Sequence, residues 1–114
     1  MRLRRGERAE RLAAAHLTRA GLQLLERNYR CRLGEIDLIM RDGATLVFVE
    51  VRERRHGGFG SGADSVDRRK IRRLVAAAQH YLQNQPRLPP CRFDVVSVDG
   101  DDNLTWIPGA FDAG

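Results

Sequence analysis

The sequence predicts an α/β fold, a single mixed β-sheet flanked by helices, and three observations carry that expectation. Two β-rich runs, Ile36 to Met40 and Thr45 to Val51, are separated by Arg41-Asp42-Gly43-Ala44. Asp-Gly between apolar runs signals a hairpin. A long amphipathic stretch then separates this hairpin from the valine-rich run Arg92 to Val98. A helical crossover of that kind favours parallel pairing of the strands it joins. An amphipathic helix precedes the first strand, and at 114 residues the chain suits one domain over residues 1–114 with one core.

Each element has its own local reason. From Gly6 to Ala20, apolar Ala9, Ala13, Leu17 and Ala20 recur at three- and four-residue spacings and stop before Gly21, as in an amphipathic helix ended by glycine. Arg4, Arg8, Arg11 and Arg19 fall on its exposed face. Leu22 to Tyr29 reads as a first strand, followed by the hairpin. His56 to Gly62 holds four glycines in seven residues, so residues 56–63 are expected to be a flexible loop; it lacks the Gly-Lys-Ser/Thr ending of a phosphate-cradling loop. Asp64 or Ser65 can cap a helix running to about Gln83, with Ile71, Leu74, Val75, Ala78, Tyr81 and Leu82 as its apolar stripe. Pro86, Pro89 and Pro90 end it. Phe93, Val95, Val96 and Val98 mark the next strand, and Leu104 to Ile107 can add a short edge strand within an acidic tail at residues 99–114.

Composition, with 42% hydrophobic and 31% charged residues, excludes the disordered and fibrous classes. No apolar run approaches the roughly 20 residues of a membrane span, and the Arg-rich start leads into an amphipathic stretch, so no membrane partner and a cytoplasmic location are the default expectations. Cys31 and Cys91 have no Cys or His companions at zinc-ligand spacing and are expected to be reduced and structural. Charge is more informative. Residues 1–92 carry all 20 basic groups against 10 acidic ones, whereas residues 93–114 carry five Asp and no base, giving a +10 body and a −5 tail. A cationic body of this size attracts polyanions, with nucleic acid the expected partner.

If Asp42-Gly43 fills a two-residue turn, Arg41 faces Ala44, Glu35 faces Glu50 and Asp37 faces Phe48. Side chains two apart share a face, so Glu35, Asp37, Glu50 and Arg52 project from one side, with Asp37 diagonal to Glu50. Ile36, Leu38, Val47, Val49 and Val51 occupy the other side and can be buried against a helix. Clustered like charges on a strand pair need a compensator. Arg52 with another Arg could neutralise them on a solvated face, or a hard cation such as Mg²⁺ could, held by one or two carboxylates with waters and phosphate oxygens. Charge pattern alone slightly favours the structural reading.

Gly34-Glu35-Ile36-Asp37-Leu38-Ile39, a turn, then Val47-Phe48-Val49-Glu50-Val51-Arg52 resembles the acidic-residue, spacer, Glu-x-Lys signature of the PD-(D/E)xK nuclease superfamily. With Gly6, Ala9-Glu10, Gly21, Asn28, Lys70, Tyr81-Leu82 and Cys91-Arg92-Phe93-Asp94, residues 6–111 resemble the YraN family, bacterial proteins of undetermined role. That resemblance implies a restriction-endonuclease-like fold in the order helix, three strands, helix, strand. Within the superfamily the chain is similar to the archaeal-type Holliday junction resolvases. The resemblance implies that Asp37 and Glu50 ligate Mg²⁺ or Mn²⁺ and that Glu10 reaches the same ion, ahead of Glu7. Glu35 would be an outer ligand or would orient a water or an Arg. The implied activity is metal-dependent endonucleolytic hydrolysis of DNA, in preference to RNA and including branched DNA. The implied assembly is a homodimer, with Phe59, Trp106, Ile107 and Phe111 as candidate contacts.

Arg52 departs from the signature, which has lysine there. A guanidinium cannot act as a base, yet it can clamp a phosphate or stabilise developing charge, so metal and phosphate binding tolerate the change better than hydrolysis does. The alternative is a non-catalytic nucleic-acid-binding protein on the same fold; a module docking an acidic protein is a third reading. Arg68, Arg69, Lys70, Arg72 and Arg73 form either a phosphate-contacting helix face or a solvated one. His16, His56 and His80 are dispersed. Aromatic residues do not interleave with the basic runs as single-strand stacking platforms do, so contacts to phosphate backbones are favoured over base reading.

Overall fold

The computed structural model describes residues 6–54 and 68–112. Its elements are α1 (Glu7–Arg19), β1 (Gln23–Cys31), β2 (Gly34–Asp42), β3 (Thr45–Glu53), α2 (Arg68–Leu82), β4 (Cys91–Val98) and β5 (Leu104–Phe111). The strands form one mixed sheet in the order β1-β2-β3-β4-β5, parallel only between β3 and β4, the two joined across α2. This is the expected single mixed sheet, in the order helix, three strands, helix, strand, with β5 added at one edge. The glycine-rich loop, Phe59 and the Asp64 and Ser65 caps fall outside the described residues. No helix among the described residues is long and apolar enough to cross a membrane.

Alternation along β3 divides the core. Val47 and Val49 join Leu38, Met40, Val96 and Val98 beneath Ala9, Ala13, Ala14 and Leu17 of α1. The small alanines let that helix lie close to the β-branched sheet surface. Leu46 and Phe48 point the other way and join Ile36, Ile39 and Phe93 beneath Leu74, Ala77 and Ala78 of α2. Both helices therefore bury most of the stripes their sequences predict, on opposite faces, with Ala14 and Ala77 added, Ala20 exposed and Ile71 only half-buried.

Two details of the hairpin correct the sequence expectation. Asp42 pairs with Thr45, so the turn is Gly43-Ala44, not Asp42-Gly43. Gly43 has φ 60°, and glycine accepts a positive φ at the first central position of a hairpin turn without steric cost. The register moves by two residues: Phe48 faces Ile39, and Asp37 is brought level with Glu50. A two-residue shift preserves the face of every side chain. The second correction concerns Ile36, which packs under α2 and not with Leu38 on the α1 side. Alternation along β2 is thus broken between Ile36 and Leu38, on either side of Asp37.

The acidic tail is more ordered than expected, because β5 runs eight residues along β4. Asp94 holds it there. This fully buried carboxylate accepts hydrogen bonds from Trp106 Nε1 and Gly109 N, each at 2.9 Å, and from Arg92 Nε at 3.1 Å. Arg92 also donates to Asp42 at 2.8 Å, tying β4 to the end of the hairpin. The β4–β5 register shifts at this point, and Gly109 with φ 57° turns its N–H inward. Trp106 packs against the α1-side core and Phe111 stacks on Phe93, so these two candidate dimer contacts serve the chain's own core.

Candidate metal and phosphate site

The β2–β3 ladder stops at Leu38↔Val49. One residue on, the Asp37 carboxylate replaces the missing backbone partner by accepting the Val51 N–H at 2.8 Å. Asp37 and Glu50 thus lie side by side where the two strands part. Burial, then the charge of Glu50, pushes Asp37 up to about 8, and Glu10 and Glu35 add to the rise. Burial also raises Glu50, against the opposing charges of Lys70 and Arg52. The pair therefore gives up its protons reluctantly, and a bound cation would relieve both the repulsion and the loss of hydration.

A cavity of about 110 Å³ opens on this pair from the α2 side, lined by Glu35, Asp37, Glu50, Lys70, Arg73 and Leu74. A Cβ at Gly34 would lie 2.3 Å from the Arg73 carbonyl oxygen, so β2 and α2 meet at a distance only glycine permits. The opening glycine of the Gly-Glu-Ile-Asp string thereby brings the first turns of α2 over the carboxylates.

The sequence candidates are gathered in part. Asp37 and Glu50 are adjacent, and Glu35 lies at the cavity mouth with its carboxylate 3.4 Å from Arg30 of β1. All five basic candidates of α2 are exposed, but only Lys70 and Arg73 line the cavity with the pair; Arg68, Arg69 and Arg72 do not. Glu10 acts on Asp37 from α1 through its charge, and Arg52 acts likewise on Glu50; neither lines the cavity. Among the described residues no three His, Cys, Asp or Glu side chains converge as a ready-made metal cage. Two carboxylates with room for waters and a phosphate oxygen match Mg²⁺ or Mn²⁺, which keep part of their hydration, better than zinc or calcium. Sequence reasoning misses the structural work of Asp94, although one Asp inside the apolar run Phe93 to Val96 is its signal.

Fold and site together define a small α/β protein with a half-buried carboxylate pair at the parting of two strands, faced by cations from a crossover helix. Residues 9–98 match the model of an uncharacterised protein family, UPF0102. UPF0102 proteins of Nitrosococcus oceani and Pseudomonas aeruginosa are 54% and 52% identical to the chain, over 94% and 96% of it and 90% and 93% of their own lengths. One from Cupriavidus taiwanensis is 58% identical over 96% of the chain and 83% of its own length. The chain belongs to the UPF0102 family, known also as YraN.

Proposed function

We propose that the protein is a divalent-metal-dependent endonuclease acting on DNA, branched DNA included. The observation that carries this reading is the Asp37–Glu50 pair, half-buried where β2 and β3 part and lining one cavity with Lys70 and Arg73. A stable fold gains nothing from two apposed, partly desolvated carboxylates unless a cation completes them. Asp37 and Glu50 would hold Mg²⁺ or Mn²⁺, which when bound polarises a phosphoryl oxygen and lowers the pKa of a coordinated water.

The chain's own groups would do the rest. The Val51 N–H fixes one oxygen of Asp37, which lines the cavity. Glu10 adds negative charge from the α1 side, in keeping with a further or outer ligand. Cations on α2 offset the charge of a phosphate entering the cavity, and Arg68, Arg69 and Arg72, exposed along the same helix, extend the basic surface for neighbouring phosphates. Arg52 favours ionised Glu50 and contributes electrostatically to a charged transition state.

Arg52 in the signature's lysine position supports a second reading, a protein that binds metal and nucleic acid without cutting. A metal-titrated cleavage panel on linear, flap and four-way DNA separates the two, with wild type, Asp37→Asn and Arg52→Lys side by side. The endonuclease reading expects wild-type cleavage that Asp37→Asn abolishes. Salt-sensitive binding with no cleavage, unchanged by Arg52→Lys, would replace it with the second reading.

A further inference from the structure

The five basic residues of α2 do not act as one face. Lys70 and Arg73, three apart and so on one side of the helix, line the acidic cavity; their three basic neighbours do not. Arg52, which holds the lysine position of the signature, is also outside the lining. We propose that Lys70, carried by α2, is the cation that contacts the scissile phosphate over the Asp37–Glu50 pair, in place of the residue at position 52.

This inference rests on the metal-site reading above and names the residue that completes it. Two observations converge on Lys70. It lines the cavity with both carboxylates, where Arg52 does not. The close approach of Gly34 to the Arg73 carbonyl holds the helix turn bearing Lys70 against the start of β2. An ammonium on a four-carbon stem is a compact charge that can follow a phosphate into a small cavity; a guanidinium is a broad, planar fork. Donation from Nζ to a non-bridging phosphate oxygen would offset charge that grows there as the phosphodiester is attacked. Arg73, one turn on, lies beside it for the same phosphate or the next.

The test compares wild type with Lys70→Met, Lys70→Arg and Arg87→Met, the last removing a charge from an exposed residue distant from the cavity. Three quantities are read: Mn²⁺ uptake by calorimetry, affinity for a four-way DNA junction with Ca²⁺ by fluorescence anisotropy, and cleavage with Mn²⁺. Lys70→Met is expected to keep Mn²⁺ uptake within a few-fold, to weaken Ca²⁺-supported DNA binding about tenfold, and to slow cleavage about a hundredfold. Lys70→Arg should recover the binding, and Arg87→Met should change neither quantity beyond a small, salt-sensitive loss. Should Lys70→Met match Arg87→Met in DNA affinity while Mn²⁺ uptake is normal, the assignment of Lys70 is overturned and the metal site stands. Absence of Mn²⁺ uptake by wild type would overturn both. If wild type binds metal and DNA without cutting, the affinity comparison alone decides.

Discussion

Replacing Asp37 by Asn should make the metal-free protein more stable at alkaline pH while removing its affinity for divalent ions. The folded state holds the Asp37 carboxyl at about 8, against an ordinary 3.8. At this group the folded protein therefore binds more protons than the unfolded protein between those values, so the contribution of Asp37 is most favourable below about pH 4 and declines until about pH 8. A rise of that size sets a ceiling of about 6 kcal/mol on the destabilisation. An amide also resists burial, so Asn recovers only part of this, about 3 kcal/mol above pH 8. Its side-chain oxygen can still accept the Val51 N–H, and its amide can donate to Glu50, so the local geometry is kept. Urea unfolding of both proteins from pH 4 to pH 9 measures the effect. The two curves should coincide near pH 4 and separate by about 3 kcal/mol by pH 9, and saturating Mn²⁺ should narrow the gap by stabilising wild type alone. Parallel profiles, or a less stable variant at pH 9, would refute the assignment of a strained carboxylate pair.

Other perturbations separate fold from site. Gly34→Ala should cost about 2 to 3 kcal/mol in denaturant unfolding, because its Cβ meets the Arg73 carbonyl at 2.3 Å, and should weaken Mn²⁺ binding as α2 is displaced. Asp94→Ala strands the Trp106 and Gly109 donors and the Arg92 charge, and should cost about 3 to 5 kcal/mol without changing Mn²⁺ affinity of the folded fraction. Phe48→Ala removes a fully buried ring set between Phe93 and Tyr81, with an expected loss of about 3 to 5 kcal/mol by thermal or urea unfolding. Sedimentation at several concentrations, with and without junction DNA, tests the two-copy assembly that paired strand cleavage requires; a monomer under every condition would argue against it.

The acidic face is legible in the sequence for a reason that survives an error of register. Moving the turn from Asp42-Gly43 to Gly43-Ala44 shifts the pairing by two, and side chains alternate with a period of two, so Asp37 and Glu50 stay on one face and come closer. Ile36 is misplaced by sequence pattern because strict alternation from Leu38 would put it on the α1 side, whereas it packs beneath α2. The apolar stripes of α1 and α2 are readable because helical spacing fixes them. Which cations of α2 face the carboxylates is not readable, since that depends on the phase of the helix and on the contact at Gly34. The role of Asp94 likewise needs partners up to 15 residues away. The sequence reads residues 99–114 as an acidic tail with a short edge strand at Leu104 to Ile107; apolar Trp106 and Phe111 and the Asp94 hydrogen bonds fasten a longer strand to the sheet.

Whether the carboxylate pair is a metal site is decided by a calorimetric Mn²⁺ titration of wild type, Asp37→Asn and Glu50→Gln at about pH 8.5, just above the value to which Asp37 is raised. One ion per wild-type chain, with uptake lost in both variants while their folded circular dichroism is kept, is the predicted result. Equal uptake by all three proteins would contradict it, because the ion would then be held elsewhere than between Asp37 and Glu50.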